Sequence, residues 1–247
     1  MPTQVYRTHD GQRVPSVTTI CNRFKESGGL IHWSNRIAYE PLMQARALLK
    51  LWQAGETFDG PAKAFLEIPD STFDYSQARD RAADAGTIAH DMVDSYIHGR
   101  PFDVAKYARD LVAMAEPAFF AFREWADQSK LQVVETEKPL VSEEYRFGGT
   151  RDSILLNGRR ALGDWKSSNS IYAEYLLQLA AYGILDEEHG ETIDGGYHLC
   201  RFSKQEKPTD PVQFTHHYWS HLDTAKRGFV LLREAYDVMK DLEKLVK

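Results

Sequence analysis

Apolar positions along this chain recur first with a helical period, then with a strand period, then alternate between the two. From Ser16 to about Asn22 a Pro-Ser-Val-Thr start places Ser16 as a helix cap, with Ile20 and Phe24 on one face. Ile31, Trp33, Ile37, Ala38, Leu42, Ala45, Leu48 and Leu49 make Leu30 to Trp52 helical, and the glycine and prolines between Gly55 and Phe73 predict loop with short helix. Between Tyr75 and Ile97 the stripe Ala82, Ala85, Ile88, Ala89, Met92, Val93, Tyr96 and Ile97 predicts a helix closed by Gly99-Arg100-Pro101. A further helix is expected over Val104 to Gln128. The middle third reads as strands: Val133 to Val141, Arg146 to Leu156 and Arg160 to Lys166, with Asn157-Gly158 as a hairpin signal. A helix over Ser170 to Leu185, strands at Gly196 to Phe202 and Val212 to Trp219, and an amphipathic helix carrying Leu222, Ala225, Phe229, Leu232, Tyr236, Met239 and Leu242 complete the chain. That order predicts an α/β (α+β) protein with a central mixed sheet flanked by helices.

Composition narrows the picture. The chain has 247 residues, 43% hydrophobic and 27% charged, enough for a sizeable core without a staple and too apolar for disorder. No apolar run reaches the ~18 residues of a membrane span, and the first residues lack a signal core, so a cytoplasmic protein with no membrane partner is expected. Two cysteines, Cys21 and Cys200, cannot build a four-cysteine zinc or iron–sulfur site. The net charge of −6 argues against bulk coating of nucleic acid, while permitting a local basic groove beside an acidic metal site.

Charged residues on strands that are otherwise apolar carry the chemistry. Asp164 and Lys166 are two apart, so both leave the sheet on one face and Trp165 on the other. This is the only acid-x-Lys in the sequence. Taken alone, the spacing is equally that of a surface ion pair on an edge strand. Whether Asp152 joins them depends on the hairpin. A two-residue Asn157-Gly158 turn pairs Leu156 with Arg159 and Asp152 with Gly163, leaving Asp152 and Asp164 on opposite faces. A three-residue loop, Leu156-Asn157-Gly158, pairs Leu155 with Arg159 and Asp152 with Leu162, so that Asp152, Asp164 and Lys166 share a face. The requirement for a shared face predicts the second register, a type I turn with a glycine bulge. Asp152, Asp164 and Glu137 would then converge, and an all-oxygen cluster of acids suits magnesium or manganese.

These residues resemble a known family. Gly149-Thr150-Arg151-Asp152, Asp164-Trp165-Lys166 and Gln178-Leu179-Ala180-Ala181-Tyr182 are similar to the motifs of the PD-(D/E)XK nuclease superfamily, in its RecB-like branch with the Gln-x-x-x-Tyr motif. Gly86-Thr87-Ile88-Ala89-His90 resembles that branch's Gly-Thr-x-x-His element. Val14-Pro15-Ser16-Val17-Thr18 resembles the N-terminal signature of the mitochondrial genome maintenance exonuclease and related phage exonucleases. The resemblance covers roughly residues 14 to 185; Arg151 stands where the family has its proline.

It implies a restriction-endonuclease-like core over 76–220 in a single nuclease domain, with a helical N-terminal extension, 1–75, and a C-terminal helix, 221–247. Asp152 and Asp164 match the metal-binding acids, Lys166 the lysine that activates water and stabilises phosphate charge, and Glu137 the upstream acid, with Glu135 a competitor on the same face. His90 matches a further metal ligand, although its place on an apolar stripe also suits a core histidine. Gln178 and Tyr182 match the pair that supports the lysine and contacts nucleic acid. The implied activity is a magnesium- or manganese-dependent DNA exonuclease on single-stranded ends, in phage or bacterial repair, recombination or replication. An endonuclease, a double-strand-resecting exonuclease and a catalytically silent nucleic-acid-binding protein are the alternatives. Without a phosphate-binding Gly-x-x-x-x-Gly-Lys loop no ATP motor is expected, so a helicase or single-strand-binding protein would be a separate partner. A cap signal at Ser168, Asn169 and Ser170 points the following helix's positive end toward the phosphate. The five tryptophans and the basic clusters Arg159-Arg160 and Lys204 to Lys207 read as core and as solvated hairpin faces respectively.

Overall fold

The computed structural model describes residues 4–25, 43, 45–47, 50, 51, 54, 75–168, 170–202 and 214–246; the side chains of residues 75–83, 136, 137, 152 and 153 lie outside that description. The chain divides into two compact units, Met1–Lys25 with Ala85–Lys247, and Glu26–Asp84. In the smaller unit the described backbone at 45–47 and 50–51 is helical, and the Ala54 N–H donates to the Lys50 carbonyl at 3.0 Å. The rest of the helix expected from Leu30, including Trp33 and Trp52, and the loop expected from Gly55, fall outside the described residues, as do Asn169 and the Lys204 to Lys207 cluster.

In the larger unit two short strands, β1 (Tyr6–Arg7) and β2 (Arg13–Val14), form an antiparallel pair that the sequence pattern did not predict. Helix α1 (Val17–Arg23) follows, with the Ser16 side chain accepting from the Thr19 N–H at 3.0 Å as its cap. Helix α2 (Tyr75–Ile97) belongs to this unit from Ala85 onward. The single helix expected from Val104 is split. Asp103 accepts from the Ala105 N–H and caps a 3₁₀ turn, Val104–Lys106; Tyr107 is then extended, and α3 starts afresh at Arg109–Gln128.

Strands β3 (Gln132–Ser142), β4 (Phe147–Leu156), β5 (Arg159–Ser167), β6 (Gly196–Phe202) and β7 (Phe214–Trp219) form one sheet in that order. All neighbours are antiparallel except β5 and β6, which are joined in parallel through α4 (Ala173–Glu188). Helix α5 (Asp223–Leu245) closes the chain. The sheet is therefore mixed and flanked by helices, and β5 is its central strand rather than an edge. Val17 and Ile20 of α1, Leu179 and Leu185 of α4 and Phe229 of α5 pack with Phe147, Leu162 and Leu199 on one face. Ile88, Met92 and Val93 of α2 and Val112 and Phe122 of α3 pack with Ile154, Ala161, Trp165 and Phe202 on the other. A fully buried side chain such as Phe122 contributes about 1.5–3 kcal/mol through the water it sheds.

The β4–β5 hairpin corrects the expected register. Leu156 pairs with Arg159 and Ile154 with Ala161, across a two-residue turn in which Asn157 (φ 51°) and Gly158 (φ 81°) are both left-handed. Asn-Gly satisfies both positions of a type I′ turn, whereas the bulged loop needs only the glycine. Core packing agrees: the three-residue loop would set Ile154 opposite Arg160, bringing a guanidinium into an apolar layer, while the observed register sets it opposite Ala161. Pairing between β4 and β5 stops at Ser153 with Leu162, so Asp152 lies beyond this ladder. From there β4 continues with β3 to Ser142–Phe147, and β5 continues with β6 to Ser167–Phe202.

One ion pair ties α4 to the sheet. Arg151 on β4 and Asp186 on α4 are both fully buried, with Arg151 Nε donating to Asp186 Oδ1 at 2.6 Å and Arg151 Nη1 donating to Glu135 Oε2 of β3 at 2.9 Å. Burial pushes the Asp186 carboxyl up, and the Arg151 charge opposes that push. Asp186→Ala should lower unfolding free energy by about 3 kcal/mol, because it leaves a fully buried guanidinium with the partly exposed Glu135 alone as its described carboxylate. Urea denaturation measures this, and a loss below about 1 kcal/mol would remove the pair's role as a clamp.

A second polar pair links β6 to β7. His198 Nδ1 lies 2.8 Å from His216 Nε2, with the rings stacked at 9°, and His198 Nε2 lies 3.0 Å from the Gly195 carbonyl. That arrangement makes His198 Nε2–H the donor to Gly195 and His216 Nε2–H the donor to His198, with both rings neutral. Packing out of water, then the neighbouring His198 and His217, hold His216 down at about 4, and burial lowers His198 as well. A lowered folded pKa means that stability is complete above about 6.5 and is lost as pH falls toward 4. The melting temperature should therefore drop across that interval, and less so in His216→Gln; equal drops in both proteins would exclude the pair as the cause.

Candidate active site

The central strand and the helix above it hold four of the sequence-predicted residues in one connected line. Asp164 and Lys166 leave β5 on the α4 face, and Lys166 Nζ lies 2.8 Å from Asp164 Oδ2, with the side chains 20% and 14% exposed. Lys166 Nζ also donates to Gln178 Oε1 at 3.1 Å, and Gln178 Nε2 donates to the Tyr182 hydroxyl oxygen at 2.9 Å. Gln178 and Tyr182 are one turn apart on α4, so both reach the sheet from the same helix face. Tyr182 is buried, and that burial raises its pKa far enough that the phenol stays protonated. Tyr175, one turn before Gln178, places its ring 5.3 Å from Lys166 Nζ. The lysine ammonium is thus held between an anion, an amide oxygen and an aromatic face.

Close backbone approaches make this packing possible. A Cβ on Gly149 would lie 2.9 Å from Tyr182 Cε1 and 3.0 Å from side-chain atoms of Leu185 and Val17, so only glycine lets β4 pass under α4 here. The N-terminal segment lies on the same stretch: the Gly148 N–H donates to the Pro15 carbonyl at 3.0 Å, Ser16 bridges to Gly148, and the Tyr6 hydroxyl meets Thr150 Oγ1 at 2.6 Å. Val14 to Thr18 and Gly149 to Arg151, far apart in sequence, are neighbours in space. On the other side, a Cβ at Gly86 of α2 would lie 2.6 Å from Ser167 Oγ at the end of β5. His90 follows one turn later, its ring 5.7 Å from that of Phe202, which pairs with Ser167.

Two expectations change. The cap at Ser168 to Ser170 is not used: α4 begins after Tyr172, without a side-chain cap, and Ser168 Oγ donates instead to the Ser170 carbonyl at 2.8 Å. Glu135 is committed elsewhere, to Lys138 at 2.8 Å, Arg151 at 2.9 Å and Arg160 at 3.2 Å; the Lys138 hydrogen bond foremost, then Arg151, holds its carboxyl down at about 2. The side chains of Asp152 and Glu137 lie outside the described part of the structure. Among the described residues no three His, Cys, Asp or Glu side chains converge. Trp125 and Trp165 pack edge to face at 5.8 Å in the core opposite the Asp164 face, as expected. Sequence reasoning missed Tyr175, Asp186 and the structural part played by Arg151. The only signal for Asp186 was an acid four residues after Tyr182 in an otherwise apolar helix face.

One described atom bears on whether a divalent cation fits here: Asp164 Oδ2 is buried and accepts no well-aligned hydrogen bond, with Lys166 Nζ 2.8 Å away. A buried carboxylate oxygen in that state has capacity left for a cation.

No protein-family model matches the sequence, and no curated protein is similar to it. Among solved structures the chain is similar to an alkaline exonuclease, LHK-Exo, from Laribacter hongkongensis, at 13% identity over 68% of this chain and 92% of that one, with a TM-score of 0.29. The same exonuclease in complex with dAMP gives 14% identity over the same shares and a TM-score of 0.27. No described helix is long and apolar enough to cross a membrane. The functional reading therefore rests on the residues themselves.

Tyr182→Phe should cost about 1 kcal/mol in urea unfolding, since it leaves the Gln178 amide without its acceptor. An unchanged midpoint would show that the Gln178–Tyr182 bond contributes nothing.

Proposed function

We propose that this chain is a divalent-metal-dependent DNA nuclease of the PD-(D/E)XK type, an exonuclease that hydrolyses phosphodiester bonds at single-stranded ends. The observation that carries the reading is the contact line from Asp164 through Lys166 and Gln178 to Tyr182, which joins two separate sequence motifs. An ordinary ion pair needs no such support, whereas a lysine that must present one N–H to a reacting group does.

Asp164 is the described acid that would hold magnesium or manganese. Asp152, Glu137 and His90 are the further ligands that the family resemblance implies, with Asp152 past the end of the β4–β5 ladder, which therefore does not fix its face, and His90 on the helix that packs on the Trp165 side of the sheet. Bound there, the cation supplies positive charge that offsets the phosphate's negative charge and eases ionisation of water. The protein's own part is orientation. Gln178 takes one Lys166 N–H and Asp164 draws the ammonium to its side, so the remaining donor capacity is directed rather than free to rotate. Tyr182, kept neutral by burial, fixes the amide orientation of Gln178 so that its oxygen faces the lysine. Lys166 then orients the attacking water and stabilises charge as it builds on the phosphate.

End-labelled single- and double-stranded oligonucleotides, with either end blocked, test the reading. Cleavage should require magnesium or manganese, stop with chelator and favour free single-stranded ends. Asp164→Asn and Lys166→Ala should each lower the rate by about 10²–10⁴-fold with the circular dichroism spectrum retained. Cleavage of internally closed circles would instead define an endonuclease, preference for duplex ends a resecting enzyme, and binding without cleavage a silent nucleic-acid-binding protein. Parental rates in both folded variants would overturn the site.

A further inference from the structure

Three arginines are buried among the described residues, and their surroundings differ in one respect. Arg151 faces the carboxylates of Asp186 and Glu135, and Arg233 faces Asp237 at 2.5 Å. Arg201, 6% exposed, has no carboxylate within ion-pair distance among the described residues. Its Nε donates to Thr215 Oγ1 at 3.1 Å and its Nη1 to the Ser168 carbonyl at 2.9 Å; its Nη2 has no partner among the described residues. A guanidinium removed from water keeps its full charge, and neutral acceptors solvate it without neutralising it. Among the described residues the charge of Arg201 is solvated by neutral oxygens alone, which leaves it able to take an anion.

Its place in the sheet says which anion. Arg201 of β6 pairs in parallel register with Lys166 of β5, so the two side chains rise from the same face on strands about 4.8 Å apart. The carbonyl that Arg201 holds belongs to Ser168, two residues after Lys166, and the Ser168 N–H donates to the Phe202 carbonyl at 3.0 Å. Through Thr215 the guanidinium is drawn toward β7, on the side of Lys166 away from β4. Two cations therefore stand side by side at the C-terminal ends of the central strands, one engaged with Asp164 and one that meets no acid among the described residues.

We propose that Arg201 binds the phosphate next to the one addressed by Asp164 and Lys166, and so sets the register of the nucleic-acid strand in the site. The inference rests on the nuclease reading above and adds a residue outside the motifs that suggested it. A planar fork suits the two non-bridging oxygens of a phosphodiester. Arg201 is a binding and positioning residue: it touches the strand one linkage away from the bond that breaks.

The test is binding of fluorescein-labelled single-stranded oligonucleotides to the full chain in chelator, with each phosphate in turn replaced by an uncharged methylphosphonate. Arg201→Gln should weaken binding by about 10-fold and reduce the slope of log affinity against log salt by about 0.7, the value of one phosphate contact on single strands. One methylphosphonate position should weaken the wild-type protein by a similar factor and leave Arg201→Gln unaffected. Arg201→Lys should keep the salt slope while losing part of the affinity. Equal slopes and equal methylphosphonate profiles in wild type and Arg201→Gln would overturn the proposal. Should Arg201→Gln fail to fold, the wild-type scan decides, and a profile with no sensitive linkage beside the cleaved one overturns it equally. The two readings separate cleanly. A wild-type protein that binds and never cleaves with magnesium or manganese sinks the nuclease and leaves Arg201 to the binding data. One that cleaves, while Arg201→Gln matches its affinity and slope, sinks Arg201 alone. No binding by wild type sinks both.

Discussion

The buried contact between Arg151 and Asp186 sets the position of α4 on the sheet, and the site follows from it. Gln178, Tyr182 and Asp186 are spaced by four, so they form one row along the sheet-facing side of α4. The last member is fastened to β4 by Arg151, and the first accepts from Lys166 on β5. A helix anchored at one end of this row cannot slide without moving the other end. Interiors are packed too densely for a shift of even an ångström to go unnoticed, and Gly149 shows how little clearance exists beneath Tyr182. Arg151, in the position where the resembling motif has proline, thus has a structural task of its own here.

The electrostatics of the site follow from the same placement. Among the described residues Lys166 meets one carboxylate, one amide oxygen and one aromatic face. The stronger acidic environment lies elsewhere, where Glu135 and Glu191 meet Lys138, Arg151 and Arg160 in a network joining β3, β4, β5 and the end of α4. That network saturates Glu135 with cations, while Asp164 on the site face and Asp186 under α4 each keep a buried oxygen that accepts no well-aligned hydrogen bond. Neutral support from Gln178 and Tyr182 holds the lysine in place without cancelling its charge.

Much of this was legible in the sequence where local rules decide. The Ser16 cap, the limits of α2 and of β6, and the opposite directions of Trp165 and its neighbours each depend on a short stretch and one periodicity. What was not legible depends on distant partners. β1 and β2 are two residues long, too short to show a period, and owe their place to Gly148 and Thr150. The start of α3 was hidden because Asp103 caps a 3₁₀ turn inside a stretch of good helix formers. Nothing near Arg151 in sequence announces a carboxylate 35 positions later. The hairpin register follows the turn chemistry of Asn-Gly and the apolar layer under Ile154, which together override the shared face that the pattern of acids suggests.

With this register the site sits where the sheet divides rather than on one continuous ladder. A ladder that stayed zipped would occupy the backbone groups on both sides of β5 and leave no entry between the strands. Here β4 leaves β5 after Ser153 and Leu162 and remains with β3, while β5 runs on with β6 alone. Asp164 and Lys166 lie in the portion of β5 past the parting, and Arg201 lies on the strand that stays with it. In open α/β sheets ligands bind outside the carboxyl ends of the strands, and Lys166 and Arg201 lie at the carboxyl ends of the parallel pair β5 and β6. The parting of β4 from β5 therefore leaves the stretch of β5 that carries Asp164 and Lys166 without a ladder partner on its β4 side, which is where the nuclease reading proposed above would need the strand to approach.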